Sequence, residues 1–334
     1  MAININNRKL EHLKICIEKD VESGSAGFEE VKLAHHSCPE IDFDEINTEI
    51  EFFNKRLSYP VIIEGMTGGA HDAEKINKDL AFVAQGLNIG MGVGSQRAAI
   101  EDPRTAYTYK VRDVAPDILL LGNLGAVQFN YGYGVKECKQ AVEMINADAL
   151  ALHINPLQEV VQIEGEGNFS GLVEKINEIA KELRDDSIKV IVKGVGSGIS
   201  YDIARRLGVD AVDAAGVGGT SWALVESYRG DKRHRKTGKL FADWGIPTAR
   251  CVKELSNGST PVIASGGIRT GVDAAKAIAL GADCVGMALP ILRAWAKDGR
   301  KGVREYLDQF IAEFEIAMFL TASVKVEELK GKVV

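Results

Sequence analysis

Residues 261–290 read PVIASGGIRTGVDAAKAIALGADCVGMALP, and the order of their parts decides the fold. Two short apolar runs, Pro261–Ala264 and Cys284–Met287, each lead into a loop, Ser265-Gly266-Gly267-Ile268-Arg269-Thr270-Gly271 after the first and Ala288-Leu289-Pro290 after the second. Between them, Gly271–Gly281 places Val272, Ala275, Ile278 and Ala279 at helical spacing. Strand, glycine turn, amphipathic helix and strand make a βαβ unit, whose strands pair in parallel through a right-handed crossover. Working outward, the same beat recurs at Val61–Ile63, Ile89–Val93, Ile118–Leu121, Ala149–Ile154, Lys189–Val192 and Ala211–Ala214, giving eight candidate strands. Lys75–Gly86 shows the helical pattern again, with Ile76, Leu80, Val83, Ala84 and Leu87 on one face. Strands apolar on both faces and separated by helices predict a parallel sheet, and eight such units predict an α/β fold of the (β/α)8 TIM-barrel type. A doubly wound open sheet would carry its phosphate glycines in the first βα turn, whereas here the richest glycine loops follow the last strands. Residues 1–57 are charged and irregular and read as an N-terminal extension packing on or near the barrel mouth. Residues 58–334 read as the barrel, in a single domain with no linker.

Composition narrows the function. The 334 residues carry 40 Lys+Arg against 47 Asp+Glu, a net charge of −7, and 46% are hydrophobic. This is the balance of an ordinary globular chain without the general positive field that attracts nucleic acid. The most apolar stretch, Ala277–Leu292, is broken by Asp283 and glycines, so no spanning segment is expected. The first residues show no secretory pattern, and a cytoplasmic location is expected, with neither nucleic acid nor membrane as partner. Five cysteines, Cys16, Cys38, Cys138, Cys251 and Cys284, are widely spaced without a C-x-x-C and read as reduced structural thiols.

The candidate chemistry gathers where strands end. The loops after the last two strands expose backbone N–H groups beside Arg269 and a helix N-terminus, the usual barrel arrangement for phosphate. Other strand ends are polar: Met66-Thr67-Gly68-Gly69, Gly94-Ser95-Gln96-Arg97, Gly122-Asn123-Leu124-Gly125 and Lys193. Around a mouth with a phosphate grip, these donors and acceptors suit a flavin ring. Lys193 could place positive charge where a reduced flavin becomes anionic, or could pair with a carboxylate in the barrel interior. Asn123 could equally satisfy only a turn. His153-Ile-Asn155-Pro-Leu-Gln158-Glu159 sets an imidazole, two amides and a carboxylate at one mouth. A single carboxylate is what Mg²⁺ uses when a diphosphate supplies further ligands, although Glu159 also reads as a solvated loop acid and His153 as a satisfied buried histidine. No paired carboxylates stand in an evident isomerase arrangement. Arg8-Lys9-Leu10-Glu11-His12 is a basic cluster ahead of the barrel, either a ligand arm or simply solvated. Arg229–Lys239 carries six basic residues against one acid and is expected as a mobile loop over the mouth. Trp222 and Trp244 flank it as hinge packing or as a wall. An exposed barrel with an arm also fits a homo-oligomer, tetrameric or octameric, with arms able to reach neighbouring mouths.

Asn7-Arg8-Lys9, Met66-Thr67-Gly68-Gly69, Gly94-Ser95-Gln96-Arg97, the His153–Glu159 run, Gly218-Gly219-Thr220-Ser221-Trp222, Asp243-Trp244-Gly245-Ile246-Pro247-Thr248 and Ser265-Gly266-Gly267-Ile268-Arg269 together resemble the type 2 isopentenyl diphosphate isomerase family. The resemblance implies a redox-neutral interconversion of isopentenyl and dimethylallyl diphosphate that needs reduced FMN and Mg²⁺, with NADPH as flavin reductant. It implies that residues 58–334 form an FMN-binding barrel, with Met66, Thr67, Gly68, Ser95, Asn123, Lys193, Thr220, Gly266, Gly267, Arg269, Ala288 and Leu289 holding the cofactor. Substrate would meet Arg8, Lys9, His12, Ser95, Gln96, Arg97, Asn155 and Gln158, and Glu159 would bind Mg²⁺. Gln158, His153 and Lys193 carry over as the catalytic set. The family often has an acidic residue after the flavin lysine, whereas Gly194 stands here and places a local ion pair in doubt. Rival FMN barrels are recognised by a His-Gly-Gly-Arg run late in the barrel, in hydroxyacid oxidases, or by a cysteine after strand six, in nucleotide dehydrogenases. Here Ser265 precedes the late glycines and Gly216–Trp222 holds no cysteine. A flavin-free phosphosugar barrel would need only the last two loops.

Overall fold

The computed structural model describes residues 5–334, with side chains from Arg8 onward, so the side chain of Asn7 and residues 1–4 of the extension lie outside the described residues. The strands are β1 (Ile50–Phe52), β2 (Lys55–Leu57), β3 (Val61–Ile63), β4 (Gly90–Gly92), β5 (Leu120–Gly125), β6 (Ala149–Ile154), β7 (Lys189–Gly194), β8 (Ala211–Asp213), β9 (Val262–Ser265) and β10 (Cys284–Met287). β3 to β10 close in chain order into an eight-stranded parallel barrel, β10 pairing back onto β3. All eight expected strands are present. β5 runs on to Gly125, so Asn123 is a strand residue and not part of a turn.

Outward-facing strand residues such as Val190, Val192, Val212 and Ala264 pack under the helices in the main core. A separate cluster fills the lower half of the barrel interior: Ile62, Leu121, Ala149, Ala151, Ile191, Ala211, Ile263 and Cys284. Phe52 and Leu57, from the β1–β2 hairpin, belong to that same cluster and close the barrel's N-terminal end. The extension therefore serves both ends of the barrel. Its first helix, α1 (Ile5–Glu18), carries residues lining the mouth, while its hairpin plugs the bottom. The segment between them runs along the C-terminal tail, where the N–H of Ala34 donates to Lys332 and that of His36 to Leu320.

Arg229–Lys239 is not the loop expected from its place in a βα connection. Asp231 accepts from the backbone N–H groups of Arg233 and His234 and so caps a helix, Lys232–Leu240. Gly238 lets that helix pack closely on its neighbour, since a Cβ there would lie 2.3 Å from the Ala223 carbonyl. Four cysteines are buried, Cys38 is exposed, and all five are free thiols. Among the described residues, no helix is long and apolar enough to cross a membrane.

Candidate active site

Side chains alternate along a strand, so the positions two residues beyond the apolar lower layer also point inward. Those positions are Glu64, Asn123, His153, Lys193, Asp213, Ser265 and Gly286. The register sets His153, Lys193 and Asp213 side by side on β6, β7 and β8. Lys193 Nζ lies 2.8 Å from Glu64 Oε2, contacts Asp213 Oδ2 and donates to Ser265 Oγ at 3.1 Å. Ser265 Oγ donates in turn to Asp213 Oδ1 at 2.6 Å. Gly286 makes room, because a Cβ there would come within 2.2 Å of Glu64 Oε1. Burial opposes the Lys193 charge, but Asp213 and Glu64 outweigh it and raise its pKa, so the ammonium is held. Burial drives the Glu64 carboxyl upward, with Lys193 pulling against the shift and Asp213 adding to it. The doubt raised by Gly194 is thus removed. The counter-charge of Lys193 comes from β8 and the end of β3, and a carboxyl pair does stand in the barrel after all.

Above this layer lies a cavity of about 250 Å³. Its walls include the strand-end residues Met66, Ser95, Asn123, His153 and Lys193, the loops at Thr220, Gly266, Gly267, Arg269, Ala288 and Leu289, and the mouth residues Arg97, Gln158 and Glu159. α1 adds Arg8, Lys9 and His12 from the same chain. His153 Nδ1 is 2.9 Å from Asn123 Oδ1, which as an acceptor fixes the proton on Nδ1. Burial, then Lys193 and Lys9, hold the imidazole at about 4, so it is neutral. Lys9 Nζ donates to the Ser95 carbonyl at 2.7 Å and to Tyr109 Oη at 2.6 Å. Burial and then Arg8 lower its pKa to about 7.

Gln158 lies in the first turn of the short helix Pro156–Val161, where Asn155 Oδ1 accepts from its N–H and Asn155 Nδ2 donates to its Oε1, both at 3.0 Å. Gln158 Nε2 reaches Glu226 Oε1 at 3.4 Å. Glu226 is buried among His12 (2.8 Å) and Arg229 (2.7 Å), and with its amide turned over Gln162 donates to Glu226 and accepts from Arg8. Burial would raise the Glu226 carboxyl, but His12 and Arg229 hold it below its ordinary value. Arg229 is thus spent inside this network. Trp222, edge-on to His12 with ring centroids 5.3 Å apart, is cavity wall, whereas Trp244 is exposed.

Four expected site residues do not line the cavity. Gln96 is fully buried with its amide bonded to the Asn123 N–H and the Ala141 carbonyl, so it braces β5 and has no free group for substrate. Asn155 is likewise spent on Gln158. Gly68, at φ 153°, leaves the space in which the Tyr109 ring sits. Thr67 is buried, and its Oγ1 has no partner among the described residues. The sequence reading passed over Glu64, Asp213, Glu226 and Tyr109. The first two stand at strand C-termini, the same signal that selected Lys193.

A model of the family described as FMN-dependent dehydrogenase matches residues 167–334. Solved structures with this barrel include a mandelate oxidase mutant with a monooxide FMN adduct (TM-score 0.64, 16% identity, 97% of this chain and 91% of that one). Flavocytochrome b2 with sulfite bound is similar too (TM-score 0.67, 16% identity, 96% and 81%). These define the class, an FMN-dependent family on a (β/α)8 barrel. Isopentenyl-diphosphate delta-isomerase of Nostoc sp. is 45% identical over 97% of this chain and 94% of its own. That of Pyrococcus furiosus is 47% identical over 97% and 84%. The chain belongs to the isopentenyl-diphosphate delta-isomerase family.

The residues fit FMN. Gly266 and Gly267, at φ 95° and 77°, offer N–H groups with no partner among the described residues. The helix beginning at Leu289 has no capping side chain, and Glu64 Oε1 is buried without a hydrogen bond. Mg²⁺ finds only Glu159, since no group of three His, Cys, Asp or Glu stands together among the described residues. Burial raises the Glu159 carboxyl against the pull of the Glu166 N–H, so a cation there would offset a real electrostatic cost.

Replacing Lys193 with Met should leave the Glu64–Asp213 pair buried without its cation and cost about 3–5 kcal/mol where both are ionised. The Glu64 carboxyl is already raised above its unfolded value, a contribution that favours folding at low pH and fades as pH rises through the folded value. In urea unfolding, the deficit should therefore be smaller near about pH 5 than near about pH 9. An equal deficit at both would refute the pairing.

Proposed function

We propose that the protein interconverts isopentenyl and dimethylallyl diphosphate using reduced FMN, with Mg²⁺ at Glu159 and reduced nicotinamide as the source of electrons for the flavin. It works as a cytoplasmic homo-oligomer. One observation carries the reading: a single cavity joins a flavin-type layer of strand ends to a cationic arm and to the Gln158–Glu159 corner. Such a cavity suits a small hydrocarbon with a strongly anionic end.

When bound, reduced FMN supplies the acid and base for the allylic proton shift. The chain's own groups prepare that step. Gly266, Gly267, Arg269 and the start of the helix at Leu289 would hold the cofactor phosphate, and Lys193 would offer positive charge to its ring. Arg8, Lys9 and Arg97 meet the diphosphate. In the free protein Arg97 is engaged by Glu101 at 2.7 Å and by Glu166 at 2.8 Å, so the diphosphate must compete with these carboxylates. Gln158, fixed by Asn155 and backed by Glu226, faces the hydrocarbon. The neutral His153 donates through Nδ1 to Asn123 and carries no charge to compete with Lys193. Where the oxidases carry the histidine of their His-Gly-Gly-Arg run, Ser265 stands hydrogen-bonded to Asp213, so that position offers no imidazole to take a proton from a hydroxyacid.

The test is anaerobic incubation with isopentenyl diphosphate, FMN, Mg²⁺ and a reductant, omitting each in turn. Dimethylallyl diphosphate should form only with reduced flavin and without stoichiometric loss of reductant. A flavin-loaded, metal-supplied protein that forms none would overturn the reading.

Because Lys9 titrates at about 7, its ammonium is lost as pH rises through neutrality, and diphosphate binding should weaken with it. KM should climb several-fold between about pH 6 and about pH 9, and Lys9→Arg should flatten that rise, since guanidinium keeps its charge. A KM profile identical in the two proteins would exclude Lys9 as the titrating group.

A further inference from the structure

The strand of chain that leaves α1 crosses the phosphate cradle, and one carboxylate marks the crossing. Arg269 Nε donates to Glu22 Oε1 at 2.9 Å, and a terminal nitrogen of the same guanidinium contacts that oxygen. Arg293 donates to Glu22 Oε2 at 2.9 Å. Glu22 thus bridges the arginines of the last two βα units, one in the loop after β9 and the other in the first turns of the helix after β10. Arg293 also donates to the carbonyls of Cys16 at 3.2 Å and Lys19 at 2.9 Å, at the C-terminal end of α1. A cation suits that end of the helix, where carbonyls lack intrahelical partners. Beside Glu22, Val21 is fully buried and its carbonyl accepts from the Ser221 N–H at 2.8 Å. The helix so anchored is the one that brings Arg8, Lys9 and His12 to the cavity.

The pairs are about one-third exposed, with side-chain accessibilities of 31–35%. Ion pairs of that exposure add little to global stability. Their placement is what matters, because the Arg269 that Glu22 occupies is also the cradle's charged group.

We propose that Glu22 is a positioning residue that ties the substrate-binding helix to the arginine of the cofactor-phosphate cradle, so that arm placement and phosphate binding draw on one guanidinium. The proposal rests on the flavin reading above. A phosphate monoester beside Arg269 meets the like charge of Glu22, so the tie holds the arm in register at the expense of phosphate affinity. Removing the carboxylate charge should therefore move two ligands in opposite directions, which general damage to the fold would not do.

Apoprotein is titrated with FMN and with riboflavin, which has the ring but no phosphate, and the holoprotein is assayed with isopentenyl diphosphate. In Glu22→Gln, FMN should bind several-fold more tightly, riboflavin should be unchanged, and KM for the diphosphate should rise several-fold while kcat stays within about twofold. Glu22→Asp keeps the charge but shortens the reach, so it should raise KM with FMN affinity left as in the wild type. If FMN and riboflavin both weaken in Glu22→Gln, or if KM is unmoved in both variants, the proposal fails. A wild-type protein that binds neither flavin would instead remove the cofactor reading on which it rests.

Discussion

The ammonium of Lys193, held between the carboxyls of Glu64 and Asp213, is the contact around which the upper barrel is arranged. A cation on an inward position of a barrel strand is costly unless other strands answer it. Here the answer comes from three of them, because Ser265 completes the set from β9. That requirement makes the upper layer polar while the layer beneath stays aliphatic, and it makes Gly286 necessary, since a side chain there would displace Glu64. The hairpin residues Phe52 and Leu57 close the far end over the aliphatic layer and keep water from the buried ion group from below. Stability lives in the lower layer and chemistry in the upper one, separated by two residues along each strand.

The second constraint is that the barrel does not complete its own mouth. Strand ends and the loops after them supply much of the cavity wall, but Arg8, Lys9 and His12 reach it on α1. That helix is docked by backbone carbonyls on Arg293, by Lys9 on Ser95 and Tyr109, and by His12 against Glu226 and Trp222. Under the proposed function, substrate affinity would be as much a matter of docking as of charge. In this structure the arm lines the mouth of its own barrel.

Much of this was legible in the sequence. All eight barrel strands follow from apolar runs and their helical spacers, and the late glycine loops chose the barrel over the open sheet. The polar strand ends pointed to a cofactor. What was missed shares a physical cause. Gln96 and Asn155 sit close in sequence to cavity-lining residues, yet backbone geometry turns both amides toward protein, a direction that spacing does not encode. Glu64 and Asp213 were hidden by their apolar neighbours, although a carboxylate two residues past an inward aliphatic on the same strand carries the same signal as Lys193. The hairpin Ile50–Leu57 is too short for a periodicity to declare itself, and it is fixed by what it plugs. In Arg229–Lys239 the place inside a long βα connection suggested a loop, although a local signal, the Asp231 cap, already spelled a helix.

The proposed function turns on Lys193 presenting fixed positive charge to the ring of a bound flavin. The most direct test is a pH titration of the anaerobically reduced holoprotein, following the absorbance change that marks ionisation of the reduced ring, beside free reduced FMN in the same buffer. The bound ring should ionise at a lower pH than the free one, because the ammonium stabilises its anion. Ionisation at the same or a higher pH would contradict it.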